Sequence, residues 1–237
     1  MGKKYKLTEE SINYYDKKLY RIEALKDFAN VKKGDKGGYV ESEANLSQEG
    51  NCWIYDSALV FGDAMVYENA KVCCKARIYG EAQVYDNALV GGNALISGNA
   101  EICDNAYIDD NAVVCGNAKV CSNAKILGNS EIFDNALIYG NAKIYGNAQI
   151  RSSAKVENIT DYIVFKNWWS SGRYFTWTRS NNMWAVGCFY GTGEELIAKA
   201  YEDSEISGRE YERIVNYVKL ILQNSKQIMF DIISNCF

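Results

Sequence analysis

The chain of 237 residues is 48 % hydrophobic with a net charge of −4, which is enough apolar material for a core and too acidic a balance for a duplex nucleic-acid partner. No run is long and apolar enough to span a bilayer, and Met1-Gly-Lys-Lys-Tyr-Lys has no signal-peptide core and places Lys6 where myristoylation needs Ser or Thr, so a cytoplasmic protein without membrane contact is expected. Histidine is absent, and the eight cysteines (Cys52, Cys73, Cys74, Cys103, Cys115, Cys121, Cys188, Cys236) include no Cys-x-x-Cys pair, so no metal site is expected and the thiols are read as reduced.

Residues 1–38 are not repetitive and are read as an N-terminal cap. Tyr5-Lys-Leu-Thr and Leu19 to Leu25 have strand composition, and Asn30 and Gly34 to Gly38 mark turns. A cap is needed because the repeat that follows would otherwise expose an apolar end and open strand edges.

From Asn51 to Glu157 a unit of six residues recurs without a break. Eighteen small residues step by six from Cys52 through Ala58, Ala64 and onward to Ala154, with Ser130 the one hydroxyl among them. Two places after each stands a β-branched aliphatic residue, from Ile54 and Val60 to Ile150 and Val156. A period of six fits neither a helix nor a plain strand alternation, so each unit must be a short strand plus a tight turn. The β-branched column suits a pleated surface. From Asn87 to Asn147 the residue before the small one is always Asn, mostly preceded by Asp or Gly; Asn tolerates the left-handed backbone region and Gly and Asp form turns, so the chain should bend at the same place in every unit. Val40, Ala44 and Leu46 already follow the pattern, and the step of eight from Leu46 to Ile54 implies a two-residue insertion in a first coil.

Read from its aliphatic residue, Val84-Tyr85-Asp86-Asn87-Ala88-Leu89 resembles the hexapeptide repeat of left-handed β-helix proteins. The resemblance implies a mainly β fold in which residues 39–157 form a left-handed parallel β-helix of six to seven coils. Three hexapeptides would make a triangular coil, with the aliphatic residues inside and the small ones at the corners. Stacked at about 4.8 Å, six coils would make a prism roughly 29 Å tall. The stretches Ala24 to Glu43 and Leu46 to Asp56 resemble the opening segment of bacterial and phage β-helix proteins labelled transferases.

Residues eighteen apart should share a face, which puts Tyr67, Tyr85, Cys103, Cys121 and Tyr139 in one column. With Leu89, Leu95, Tyr107 and Val113, which follow the small column, Tyr67, Tyr85 and Tyr139 make up a candidate oligomer face. The resembling family commonly forms trimers, so a homo-oligomer is expected; stacked aromatics that merely cover the faces are the alternative.

Residues 158–237 change in composition. Tyr162 to Phe165, Arg173 to Arg179 and Met183 to Tyr190 read as three strands. Thr192 with Glu195, and Ser207 with Glu210, have capping-box spacing and should open two helices. The second is amphipathic through Tyr211, Ile214, Val215, Val218, Ile221 and Leu222, and its apolar continuation Ile228, Met229, Phe230, Ile232 and Ile233 is expected to dock on a subunit or partner. The module resembles short modules of phages and mobile elements. Its candidate ligand-binding residues are Trp168, Trp169, Arg173, Tyr174, Trp177, Arg179 and Trp184, aromatics and cations that can stack a base and hold a phosphate. Packing of the same aromatics into a small core is the competing reading.

The resembling acyltransferases use a His as general base, and their carbonic-anhydrase branch holds zinc with three. Asp and Glu, with ordinary pKa values near 4, replace such a base only when strongly shifted. The expectation is therefore a non-catalytic β-helix of phage or mobile-element type, without cofactor, that oligomerises and sequesters a nucleotide-like signal in a counter-defence role, or binds a host protein. The alternatives are a His-less acyltransferase using acetyl-CoA and a structural spacer or virion component.

Overall fold

The structure, a computed structural model, describes residues 2–234, with side chains to residue 224. From Trp53–Ile54 to Lys155–Val156 the chain makes a run of two-residue strands, one per hexapeptide, distributed over three parallel sheets. Each strand pairs with the one eighteen residues on, as Leu95 with Val113 and Ile96 with Val114. The protein is thus a three-sided parallel β-solenoid of about seven turns, counting the first turn at Val40 and Leu46. There the partners are Val60 and Val66, a step of twenty instead of eighteen; the two extra residues fall between Leu46 and Ile54, as the spacing predicts.

The core is the aliphatic column. Ile54 and each sixth residue on to Val156 are 0 % exposed, and the small column is at most 1 % exposed. β-Branched side chains fill the interior at this spacing, while only a small residue fits the corner. Ser130 is tolerated there because its hydroxyl donates to Leu127 O at 2.6 Å.

The corners correct one detail of the sequence reading. The left-handed residue is the one before each Asn: Asp86 (φ 54), Gly98 (φ 67), Asp104 (φ 55) and Gly116 (φ 73) among them, while no corner Asn has positive φ. At Gly98 the requirement is steric, since a Cβ would lie 2.8 Å from Gly116 O in the next coil. Where Asp stands instead, its carboxylate reaches along the stack to a backbone N–H, as Asp86 Oδ2 does to Asp104 N at 3.0 Å and Asp104 Oδ2 to Ser122 N at 2.8 Å. The asparagines form ladders, each amide donating to the amide oxygen eighteen residues on: Asn99 to Asn117 at 3.0 Å, Asn117 to Asn135 at 3.1 Å, Asn111 to Asn129 at 3.1 Å. Asn suits a ladder because one side chain carries both donor and acceptor.

The expected cap is a longer hairpin, Tyr5–Tyr14 against Lys17–Ala24, followed by Lys36–Val40, and it continues the solenoid sheet that carries Leu59–Val60. It closes the end of the core with Tyr5, Phe28 and Trp53, whose rings meet edge to face. Lys4 is 1 % exposed there. Its ammonium donates to Glu49 O and Cys52 O, both at 3.0 Å, and burial pulls its pKa below the usual lysine range.

The chain divides into two compact units: residues up to Val164 with Thr178–Asn181, and Phe165–Trp177 with Asn182 onward. In the second, the strand expected over Met183 to Tyr190 is two, Met183–Val186 and Phe189–Gly191, paired antiparallel around Gly187 at φ 57. Helix α1 (Gly193–Asp203) starts at the expected capping box, with Glu195 N donating to Thr192 Oγ1 at 3.2 Å. Helix α2 (Glu205–Ser234) starts earlier than expected. Ser204 takes the Ser207 N–H at 3.1 Å, so Ser204 caps the helix and Ser207 lies inside it. The side chains of Ile228 to Ile233, and all of Cys236, lie outside the described residues. Among the described residues no helix is long and apolar enough to cross a membrane.

Two substitutions separate the core from the ladder. Ile102→Ala should cost about 3 kcal/mol by opening a cavity in the stack, and Asn117→Ala about 1 kcal/mol by removing two exposed ladder bonds. Equilibrium denaturation in urea measures both, and equal losses would show the corner ladder to matter as much as the core.

Candidate functional site

The second unit holds a cavity of about 340 Å³. One wall is the loop Asn167 to Arg173 and another the hairpin turn around Gly187 and Cys188; α1 contributes Lys199 and Asp203, α2 contributes Ser207 and Tyr211. The two helices approach closely at Gly208, where a Cβ would fall 2.2 Å from the Tyr201 ring.

The floor is a buried polar network. Asn167, 4 % exposed, donates from Nδ2 to Tyr211 Oη at 3.1 Å, and its Oδ1 accepts from the Ser170 N–H at 2.9 Å and hydroxyl at 3.1 Å. Burial raises the Tyr211 pKa, so its phenol is neutral at physiological pH. Trp169 packs edge-on against Tyr211 at 5.0 Å, and its buried Nε1 has no acceptor. A buried indole N–H without a partner is a local cost that core packing does not explain.

The rim carries the charge. The Arg173 guanidinium lies beside Gly187 and among the described residues makes no hydrogen bond or ion pair. Lys199 is tied to Glu202 on its own helix at 2.8 Å, and Asp203 stands on the same wall. The arrangement offers one guanidinium unpaired among the described residues, the Asp203 carboxylate, hydroxyls and a neutral phenol around a largely apolar cavity, and the guanidinium suits an anionic group of a small molecule. Among the described residues no hydrogen bond pairs the Cys188 thiol or a cavity hydroxyl with a base.

The sequence-predicted set is dispersed. Trp177 and Trp184 are core residues at 1 % and 2 % exposure, with Trp177 Nε1 satisfied by Asn182 Oδ1 at 2.9 Å. Phe175 is fully buried against Trp184 and Tyr211, so the face of the strand carrying Phe175 and Trp177 is packing surface. Arg173 lines the cavity. Trp168, 72 % exposed, lies in the same loop, and Tyr174 is 41 % exposed under the Lys166 ammonium. Arg179 falls in the first unit. Sequence reasoning missed Cys188, which the hairpin turn brings to the cavity, and Lys199, Asp203, Ser207 and Tyr211, which the two helices bring; the signals were the capping-box spacings at Thr192 and Ser207 and the amphipathic stripe through Tyr211.

The residues predicted for an oligomer face are all half-buried and lie on all three sheets. Tyr67, Tyr85 and Tyr139 share one sheet, Leu89 and Tyr107 a second, Leu95 and Val113 the third. Tyr67 and Tyr85 stack at 5.0 Å, and Tyr67 donates to Gln83 at 2.9 Å, Tyr107 to Asp109 and Tyr139 to Glu157 at 3.3 Å. On the same sheet Cys103, Asp104 and Cys121 bring their ligand atoms within 4.8 Å of one another.

The family model of the YdcK β-solenoid repeat matches residues 82–98. Over 62 residues the chain is 45 % identical to "Uncharacterized acetyltransferase YdcK" of Escherichia coli (strain K12), an alignment covering 23 % of this chain and 19 % of that protein. The match thus spans about a fifth of the relative's length. Repeat match and coil geometry agree on a hexapeptide-repeat β-solenoid.

Tyr211→Phe tests whether the cavity floor is a coupled network. It should cost about 1–3 kcal/mol, because the Asn167 amide is left buried without its acceptor, and the Asn167→Ala/Tyr211→Phe double variant should lose less than the sum of the singles. Additive losses in thermal denaturation would show the two residues to be independent.

Proposed function

We propose that the protein acts by binding rather than catalysis, taking a small phosphate-bearing molecule in the cavity of its C-terminal unit. The observation that carries this reading is the unpaired Arg173 guanidinium beside a cavity with a neutral polar floor. A guanidinium matches a phosphate in a bidentate fork. Trp168, exposed in the same loop, supplies a face on which a base can stack, so the ligand class favoured is nucleotide-like. The resemblance of the opening segment and of the C-terminal module to phage and mobile-element proteins supports a sequestering, counter-defence role. The trimer implied by the resemblance belongs to the same reading, since half-buried apolar residues stand on each face of the solenoid; sedimentation velocity checks it.

Acyl transfer is the second reading, favoured by the name of the relative. With no histidine in the chain, the proton would have to pass to a carboxylate or a thiol. Release of CoA from acetyl-CoA in the presence of amine or hydroxyl acceptors would establish it.

Thermal unfolding against inorganic phosphate and a panel of mono-, di- and cyclic nucleotides tests the binding reading. At a hundredfold excess over Kd a ligand of the native state adds about 2.7 kcal/mol, a rise of roughly 5–10 °C. Arg173→Ala should abolish the rise without lowering the unliganded midpoint, because among the described residues its guanidinium makes no hydrogen bond or ion pair. No rise with any member of the panel, or an equal rise in the variant, counts against the proposal.

A further inference from the structure

Cys103 and Cys121 occupy the same outward position in consecutive coils, because Glu101–Ile102 pairs with Lys119–Val120 in a register of eighteen. The Cys103 N–H donates to Val120 O at 3.0 Å, which fixes the two residues one rung apart. Asp104 follows in the left-handed conformation, and the Ser122 N–H held by its Oδ2 at 2.8 Å aims the carboxylate at the coil that bears Cys121. The stack therefore builds from residues far apart in sequence what the missing Cys-x-x-Cys motif would have supplied.

We propose that Cys103, Asp104 and Cys121 form a site for a borderline-soft divalent cation of the zinc class, bound by two thiolates and one carboxylate. Three atoms that all lie within 4.8 Å of one another share a point no more than about 2.8 Å from each, so a shift of about 0.5 Å at the side chains reaches a Zn–S bond of ~2.3 Å. Two thiolates and an oxygen select such an ion over the hard cations, which take oxygen alone. Three protein ligands leave the fourth tetrahedral position to water or another small molecule. On binding, the two S–H protons leave to solvent and the ion takes their place.

The surroundings fit this assignment. The Tyr85 hydroxyl donates to Glu101 Oε2 at 3.5 Å, and Glu101 in turn accepts from Lys119 on the sheet that bears Cys103 and Cys121. Lys119, paired with Glu101 at 2.6 Å, places a cation beside a ligand set that would carry one net negative charge around the bound ion. The neighbouring thiols Cys73 and Cys74, 3.6 Å apart, have no third ligand in reach among the described residues.

Cobalt(II) titrated into the full chain, reduced with a phosphine, tests the proposal. The expected result is one cobalt per chain with the visible bands of tetrahedral coordination and a sulfur-to-cobalt charge-transfer band, all displaced by zinc. Cys121→Ser and Asp104→Asn should each weaken binding at least tenfold; Cys73→Ser/Cys74→Ser should leave it unchanged. Circular dichroism of the outward-facing variants confirms that the solenoid is intact. Absence of a charge-transfer band, its persistence in Cys121→Ser, or its loss in Cys73→Ser/Cys74→Ser overturns the assignment.

Discussion

The solenoid depends on the register of eighteen residues. Every rung hands its N–H groups to the carbonyls of the next coil, as Leu95 N does to Ala112 O at 2.9 Å and Cys103 N to Val120 O at 3.0 Å. A slip of one residue would turn the aliphatic column outward and push polar side chains into a core that is 0 % exposed. The interior therefore enforces the register, and the register dictates the outside. Any residue type recurring at a step of eighteen becomes a column along a face, whether it is an amide ladder at a corner, a stacked Tyr67 and Tyr85, or the sulfur pair Cys103 and Cys121.

The same constraint explains how the start of the solenoid is closed. A parallel stack ends on open edges and an exposed cross-section of core. Here the sheet continues into an antiparallel hairpin, and aromatic rings plug the cross-section. Lys4 is the unusual part of that plug. Its ammonium satisfies backbone carbonyls at the first complete coil and lies over the Phe28 ring at 5.2 Å. Desolvating an amine is costly, and the lowered pKa of Lys4 reflects that cost, so the contact is sustained by the carbonyls and the ring together.

The fold was legible because the repeat states it many times over. Eighteen aliphatic residues in step leave one architecture, and even the two-residue insertion before Ile54 could be read from spacing. The role of Asn was misread, since its tolerance of positive φ and its capacity for ladders both favour a turn; only the backbone distinguishes them, and it assigns positive φ to the preceding Asp or Gly. In the C-terminal unit no repetition helps. Trp177 and Arg173 look equivalent on an alternating strand, yet one is core and the other lines a cavity. Tyr211 and Asp203 join that cavity because two helices fold back on one another, a long-range event with no local signature. The cysteine column was legible as a stacking, but Asp104 became part of it only through the carboxylate's bond to Ser122 in the next coil.

Similarity in the repeat carries the packing of the coil. The residues matched by the solenoid-repeat model, 82–98, include Ala82, Val84, Ala88, Val90, Ala94 and Ile96. All six are 0 % exposed. Identity at such positions reports the packing of a coil, which any protein with this solenoid must share whatever its chemistry. The positions free of that packing are the outward columns and the unit beyond the repeat, where this chain has Cys103, Asp104 and Cys121 on the one hand and the Arg173 cavity on the other. A match to the repeat therefore leaves the chemistry of this chain to be decided by residues that the repeat pattern does not constrain.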